Sequence, residues 1–359
     1  MNGAVTLRLL GEDRRITGGP FDCWDGHGIG VCLDPGARLR PSATIYLPVE
    51  DYTAPTQEAL VAAFAALLAA WRKGNAVVHV GCRAGFGRTG TFIAALARLA
   101  GHDDPVGWTR RNYNGEAVET SAQAAAVMAL DPGAVWSAYR TAIGEEARMY
   151  ALYYYPDNAS TFIHMLLREL GVPFELRLVD RKSDAHHSAE YLRLNPLGQI
   201  PVLVDGDLVL TETAAIALHL VDRHPECGLA PPLGSAARAH FYKWMMYLTN
   251  TLQPEHLKRA YPHRHVSNPD AVEDVRATAF RRLDGMFDFI EAELGGGPYL
   301  LGDTLSAADF FLLMLVMWGS RMARRPASLP AIGAHAARML ARPAVAATLA
   351  AEGLSPPFV

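Results

Sequence analysis

The sequence predicts an α/β unit with a central sheet and flanking helices, then a second α/β unit, then an all-helical lobe. Three observations predict this. Residues 76–80 (AVVHV) read as a short buried strand that runs into a glycine-rich turn and an alanine-rich helix. The order strand, helix, strand begins again at residues 151–155 (ALYYY) and 174–179, just after the charged residues Glu145, Glu146 and Arg148. Beyond the Pro- and Gly-punctuated stretch at 225–234 (PECGLAPPLG) the pattern is helical to the last residue. A length of 359 residues suits two or three domains at roughly 100–200 residues each. The divisions fall at 1–147, 148–228 and 235–359.

Composition narrows the class of function. The chain carries 33 basic and 37 acidic side chains, for a net charge of −4, so neither a nucleic-acid footprint nor a membrane-surface patch is expected. Half the residues are hydrophobic and only 19% are charged, which excludes a disordered chain. The opening MNGAVTLRLLGEDRR lacks the apolar core of a secretory signal. The apolar stretch 310–318 is far shorter than the ~20 residues that span a bilayer. A soluble, cytoplasmic protein is the expectation. The four cysteines, Cys23, Cys32, Cys82 and Cys227, include no Cys-x-x-Cys pair, so no disulfide framework and no metal site is expected.

Within the first unit, residues 79–90 (HVGCRAGFGRTG) fit two motifs. Gly85, Gly87 and Gly90 make the dinucleotide pattern G-x-G-x-x-G, but that motif needs a second parallel strand about 20 residues on. The segment GHDDPVGWTRRNYNG, which follows the helix, is no strand. The alternative is Cys-x5-Arg at a helix start. There the loop N–H groups, the helix N-terminus and the Arg88 guanidinium surround one phosphate, and the same field favours a Cys82 thiolate nucleophile. Arg88 suits the equatorial oxygens of a transferring phosphoryl group, and Thr89 can donate its hydroxyl to the sulfur as the phosphoenzyme breaks down. The leaving group needs an acid from another loop. Asp51, ahead of the amphipathic helix of Leu60, Phe64, Leu67 and Trp71, is the candidate, with Glu50 its rival.

Residues 20–130 resemble the cysteine-based protein tyrosine phosphatase superfamily, nearest the compact dual-specificity type. The resemblance rests on Cys82 and Arg88 in CRAGFGRTG, Asp51 in PVEDYTAPT, and the stretch RRNYNGEAVETSAQ. It implies that Gln123 positions the hydrolytic water. One departure stands out: the family usually has His directly before the nucleophile, whereas Gly81 stands here and His79 lies further upstream.

In the second unit, Gln199-Ile200-Pro201-Val202 precedes the hairpin-like VLVDGDLVL. A proline opening a strand after a turn is a candidate cis peptide, and the Ile200 backbone can then pair with a peptide ligand as a strand would. Glu212-Thr213 opens the next helix, so its N–H and hydroxyl groups can take a carboxylate while Glu212 takes an ammonium. An amino-acid headgroup meets both demands.

These features resemble the glutathione transferase family over residues 149–359. The resemblance implies a thioredoxin-like lobe and an all-helical lobe, glutathione as substrate, and a homodimer. Ile200-Pro201 then corresponds to the cysteinyl site and Glu212-Thr213 to the γ-glutamyl site. Ser306 and Asp309 correspond to the family's helix-capping box. The cysteine of the bacterial cysteine-type enzymes falls on Ala159 and its accompanying histidine on Gln253, which excludes that mechanism on this alignment. Ser160, at the helix start, is the first choice for the residue that meets the glutathione thiolate. Tyr153 and Tyr154 are the alternatives, and Asn158 could also donate.

Two sites on one chain admit three explanations. The chain could be a bifunctional enzyme, with a phosphocysteine phosphomonoester hydrolase and a glutathione transferase. It could be a phosphatase, acting on a phosphorylated protein or small molecule, that a glutathione-binding module regulates. Or the second half could serve only to dimerise the first.

Overall fold

A computed structural model describes residues 3–74, 77–144, 149–295 and 297–359. The chain forms two compact units, the bulk of which are residues 1–147 and 148–359. Ala76, Glu145, Glu146 and Arg148, named above from the sequence, lie outside the described residues, as does the boundary itself.

The first unit is built on a five-stranded sheet. Strands β1 (Gly3–Leu9) and β2 (Glu12–Pro20) form an antiparallel hairpin. Its two-residue turn, Leu10-Gly11, has both φ angles positive (55° and 75°), as a tight hairpin turn requires. Strands β3 (Ile29–Cys32), β4 (Ile45–Tyr46) and β5 (Val78–Cys82) complete the order β1-β2-β5-β3-β4. The central strand, β5, runs parallel to both neighbours and delivers Cys82 at its carboxyl end. Open α/β sheets bind their ligands at that edge.

Helix α1 (Gln57–Arg72) starts at Thr56, whose hydroxyl caps Ala59 N–H, and buries the predicted stripe of Leu60, Phe64, Leu67 and Trp71. Helix α2 (Gly87–Leu99) follows the glycine-rich loop and is buried along its whole length. The segment expected to hold no strand forms α3 (Pro105–Asn112). The helical stretch expected from residue 121 divides into α4 (Ser121–Ala129) and α5 (Pro132–Ala142). Pro132 cannot continue a helix, but it suits the first turn of a new one, which Asp131 caps. The β1–β2 hairpin has no counterpart in the sequence reading.

The second unit begins with a four-stranded sheet in the order β7-β6-β8-β9. Strand β6 (Tyr150–Tyr154) is followed by α6 (Ser160–Leu170) and pairs in parallel with β7 (Phe174–Leu178). After the short helix α7 (Ala189–Leu194), β8 (Val202–Asp205) runs antiparallel to β6 and turns at Gly206 into β9 (Leu208–Leu210). Helix α8 (Thr213–Arg223) closes this thioredoxin-like lobe.

The remainder is helical: α9 (Ala236–Tyr247), a π-helical turn at Leu248–Leu252, α10 (Gln253–Ala260), α11 (Val272–Leu294), α12 (Ala307–Trp318), α13 (Pro330–Leu340) and α14 (Pro343–Ala351). Helix α12 is buried from Ala307 to Met317. The expected box at its start is present: the Asp309 carboxylate accepts from Ser306 N–H at 2.9 Å and from Leu300 N–H at 2.9 Å. No helix among the described residues is long and apolar enough to cross a membrane.

Candidate active sites

The loop between β5 and α2 gathers the first site. Cys82 is buried, and its Sγ accepts hydrogen bonds from Gly85 N–H at 3.2 Å and from the Thr89 hydroxyl at 3.1 Å. Thr89 Oγ1 also accepts from Cys82 N–H at 3.1 Å, which fixes the hydroxyl beside the sulfur. Gly85 turns the loop at φ +86°, a conformation that a side chain would strain. Its carbonyl is held by the Tyr113 hydroxyl at 2.5 Å. Burial, with Cys82 close by, raises the Tyr113 phenol, so this donor stays protonated.

Arg88 is buried and fixed from three directions. It donates to Val49 C=O at 2.8 Å and pairs with Asp51 at 3.3 Å and Asp34 at 3.7 Å. Of the two rival acids, Asp51 is therefore the one whose carboxylate reaches the guanidinium; Glu50 is exposed, and its carbonyl accepts from Thr53. Nothing in the local sequence singles out Asp34. It sits in the loop after β3, and only its place beyond a strand end of the same sheet could have drawn attention to it.

Gln123 takes a different position from the one expected of a water-orienting amide. It is fully buried, and its Oε1 accepts from Glu119 N–H at 2.8 Å and Thr120 N–H at 3.3 Å. Its Nε2 donates to Thr53 C=O at 3.1 Å. The amide thus forms the capping box of α4 and ties it to the loop that carries Asp51. Both ends of the Gln123 amide are engaged by backbone groups of the α4 start and the Asp51 loop.

The departure at position 81 has a steric cause. A Cβ on Gly81 would lie 2.5 Å from Phe21 Cα and 2.7 Å from Phe21 N, so backbone occupies the place of any side chain there. His79 is turned to the β2 side, with Nδ1 3.1 Å from Thr17 Oγ1. Burial holds its imidazole below the ordinary range. Installing the usual family residue by Gly81→His is expected to destabilise the first unit by about 2–3 kcal/mol, as overpacking does. Urea unfolding of the full chain checks this, and an unchanged midpoint would count against the steric account.

The second site is a cleft of about 1220 Å³ in the second unit. One wall is the turn from β6 to α6, where Asp157, Asn158 and Ala159 face the cleft. Another is the Ile200–Pro201 segment, whose peptide bond is cis. Ile200 stands just outside the sheet register, which starts at Val202 opposite Tyr153. Glu212 and Thr213 also line the cleft, with Glu212 in the N-cap position of α8 at φ +67°. A non-glycine residue held there is strained, and it orients both its carboxylate and the free N–H groups of the helix start.

The candidates for the thiol-facing residue separate clearly. Ser160 is fully buried; its hydroxyl donates to Tyr155 C=O at 3.0 Å and accepts from Tyr155 N–H at 3.2 Å. That hydroxyl, the first choice from the sequence, closes the β6–α6 turn in this structure. Tyr153 accepts from Arg177 at 2.9 Å on the β7 side, and Tyr154 packs edge-on to His164. Neither tyrosine lines the cleft. Asn158 does, half-buried, with its Oδ1 accepting from Ala159 N–H at 2.7 Å. Burial raises the neighbouring Asp157 carboxyl; Arg321 opposes this and Glu352 adds to it.

A thioredoxin-like sheet carrying a cis-proline edge, followed by an all-helical lobe, defines the class of the second unit. Residues 149–222 and 273–328 match the N- and C-terminal domain families of glutathione S-transferase. Residues 38–141 match the family described as Swiss Army Knife protein, DSP-PTPase phosphatase domain. Glutathione S-transferase GST-4.5 of Xanthomonas campestris pv. campestris is 32% identical over 204 residues, covering 57% of this chain and 99% of the relative. Glutathione S-transferase GstA of Escherichia coli O157:H7 is 31% identical over 205 residues, 56% of this chain and 98% of the relative. Among solved structures, a glutathione transferase homologue from Sulfitobacter with bound glutathione aligns at a TM-score of 0.54 and 29% identity, covering 58% of this chain and 99% of its own. The glutathione S-transferase from Xylella fastidiosa aligns at 0.53 and 32% identity over 57% of this chain and 100% of its own. The chain belongs to the glutathione S-transferase family and carries a phosphatase domain of the dual-specificity type ahead of the transferase region.

Proposed function

We propose that this chain is a bifunctional enzyme, with a phosphocysteine phosphomonoester hydrolase in residues 1–147 and a glutathione transferase in residues 148–359. The observation that carries the hydrolase is the Cys82 sulfur, which takes hydrogen bonds from Gly85 N–H and Thr89 hydroxyl beside a buried Arg88. In this reading Cys82 attacks the phosphorus of a phosphomonoester from a protein or small molecule, and Arg88 and the loop N–H groups hold the equatorial oxygens. Asp51 protonates the departing oxygen, and Gln123 keeps the Asp51 loop in register. Water then attacks the phosphocysteine, and Thr89 donates to the leaving sulfur. Phosphate release from an aryl phosphate by the full chain tests this reading.

In the transferase half, the Ile200 backbone pairs with the cysteinyl unit of glutathione, and Glu212 and Thr213 hold its γ-glutamyl headgroup. The similarity to the Xanthomonas glutathione S-transferase, which spans nearly the whole of that relative and 57% of this chain, and the residues lining the cleft support this assignment. Asn158 is the donor to the thiolate in this reading, and Ser160 supports the turn that presents it. Asn158→Ala is then expected to lower kcat/KM for conjugation by at least about tenfold, as loss of one preorganised donor does. Ser160→Ala is expected to act mainly on stability, by about 1 kcal/mol. The reverse pattern, measured in steady-state conjugation and thermal unfolding, would return the role to Ser160. The reading includes a homodimer, which light scattering checks.

A further inference from the structure

The glutathione cleft has a second region, formed by the helical lobe, whose chemistry differs from the apolar surface a neutral electrophile needs. His256 on α10 lines it and is 1% exposed, and neither of its ring nitrogens has a hydrogen-bond partner. Arg259, one turn on, also lines it; its Nη2 donates to Trp318 C=O at 3.0 Å, while its buried Nε has no partner. Arg321 and Arg325, just past α12, lie on the same surface. None of these three arginines forms an ion pair with a carboxylate among the described residues; the acids on the cleft are Asp157, whose carboxyl feels Arg321, Glu212 and the terminal carboxylate of Val359.

Unsatisfied buried donors and guanidinium groups held side by side without an ion pair are unfavourable unless something answers them. Burial and the adjacent Arg259 push the His256 imidazole down to about 3, so the ring is neutral and offers one N–H. Arg259 is itself lowered, first by burial and then by Arg321, which places the two cations within reach of each other. The apolar face of Trp318 completes the surface beside them. Of glutathione's charges, the glycyl carboxylate has Arg181, His186 and His187 of the thioredoxin-like lobe on the same cleft to receive it. The headgroup is assigned to Glu212 and Thr213, and the backbone to Ile200, all in the thioredoxin-like lobe. A volume of about 1220 Å³ exceeds the usual range for a single small ligand.

We propose that the co-substrate of the transferase half is an anion, a carboxylate, sulfonate or phosphate on an aryl-sized electrophile, whose charge is received by His256, Arg259 and Arg321. The inference rests on the transferase reading above. In the conjugation itself, the glutathione thiolate forms a C–S bond to the electrophilic carbon and the halide leaves with the C–halogen pair. The thiol proton goes to solvent, and no other reactant is needed.

The test compares 4-chloro-3-nitrobenzoate with its methyl ester, using full-length protein and dividing each kcat/KM by the uncatalysed rate constant. The carboxylate is expected to exceed the ester by about tenfold, and Arg321→Gln to reduce that ratio about tenfold, in line with the loss of a charge-assisted contact. Arg321 is exposed and has no ion pair, so the variant is expected to fold. A ratio near one in the wild type, or one that Arg321→Gln leaves unchanged, would overturn the proposal. Equal slowing of both electrophiles with a raised glutathione KM would assign the arginine to glutathione and overturn it too. If neither compound is conjugated, the transferase reading fails separately. Calorimetric titration of the carboxylate into protein saturated with S-methylglutathione then decides the anion site: binding that Arg321→Gln weakens about tenfold supports it, and no binding refutes it.

Discussion

Cys82→Ser is expected to reduce phosphate release from 4-nitrophenyl phosphate by about 10⁴-fold or more, the scale on which loss of a catalytic nucleophile acts. The reason lies in the loop that follows β5. Its donors converge on the sulfur, from Gly85 N–H at 3.2 Å and the Thr89 hydroxyl at 3.1 Å. A serine hydroxyl at the same point is a far weaker nucleophile than the sulfur. The fold should be undisturbed, because the replacement is nearly the same shape. Activity in Cys82→Ser within tenfold of wild type would mean that the sulfur is not the nucleophile.

Glu212→Ala is expected to raise the glutathione KM about a hundredfold, the upper range for removing a charged hydrogen-bonding partner. Glu212 occupies a left-handed backbone position at the start of α8 and lines the cleft, where an ammonium would meet its carboxylate. Alanine also tolerates that backbone poorly, so the unfolding midpoint of the variant needs to accompany the kinetics. A glutathione KM unchanged in a stably folded variant would remove Glu212 from the headgroup site.

What could be read from the sequence was the chemistry carried by contiguous residues. The Cys-x5-Arg loop, the Ile200-Pro201 edge and the Glu212-Thr213 helix start are local, and local backbone geometry follows from local sequence. Partners that come from distant loops were harder. Asp51 was named because a phosphoryl leaving group needs an acid, but Asp34 reaches Arg88 from the end of β3, and nothing in its own neighbourhood marks it. Gln123 and Ser160 show a different limit. Both are polar residues beside a site, and both amide and hydroxyl are taken up by backbone groups that only the folded turn brings near. The meaning of Gly81 needed the structure too, since the group that excludes a side chain there is the backbone of Phe21, sixty positions earlier.

The β1–β2 hairpin is hard to read from the sequence for the same reason. Its sequence, with arginines at Arg8, Arg14 and Arg15, looks like a charged terminus until Val5, Leu7, Leu9 and Ile16 are seen to alternate into the core. The largely helical stretch from residue 121 is present as α4 and α5, with Asp131-Pro132 setting the boundary between them.

The most direct test of two separate active sites on one chain measures both reactions in the same preparations of full-length wild type, Cys82→Ser and Glu212→Ala. Phosphate release from 4-nitrophenyl phosphate and conjugation of glutathione to a chloronitrobenzene are followed side by side. The account predicts that wild type performs both, that Cys82→Ser loses phosphate release and keeps conjugation, and that Glu212→Ala, at glutathione concentrations below the raised KM, loses conjugation and keeps phosphate release. Wild type lacking either reaction, or either substitution abolishing both in a folded protein, would contradict it.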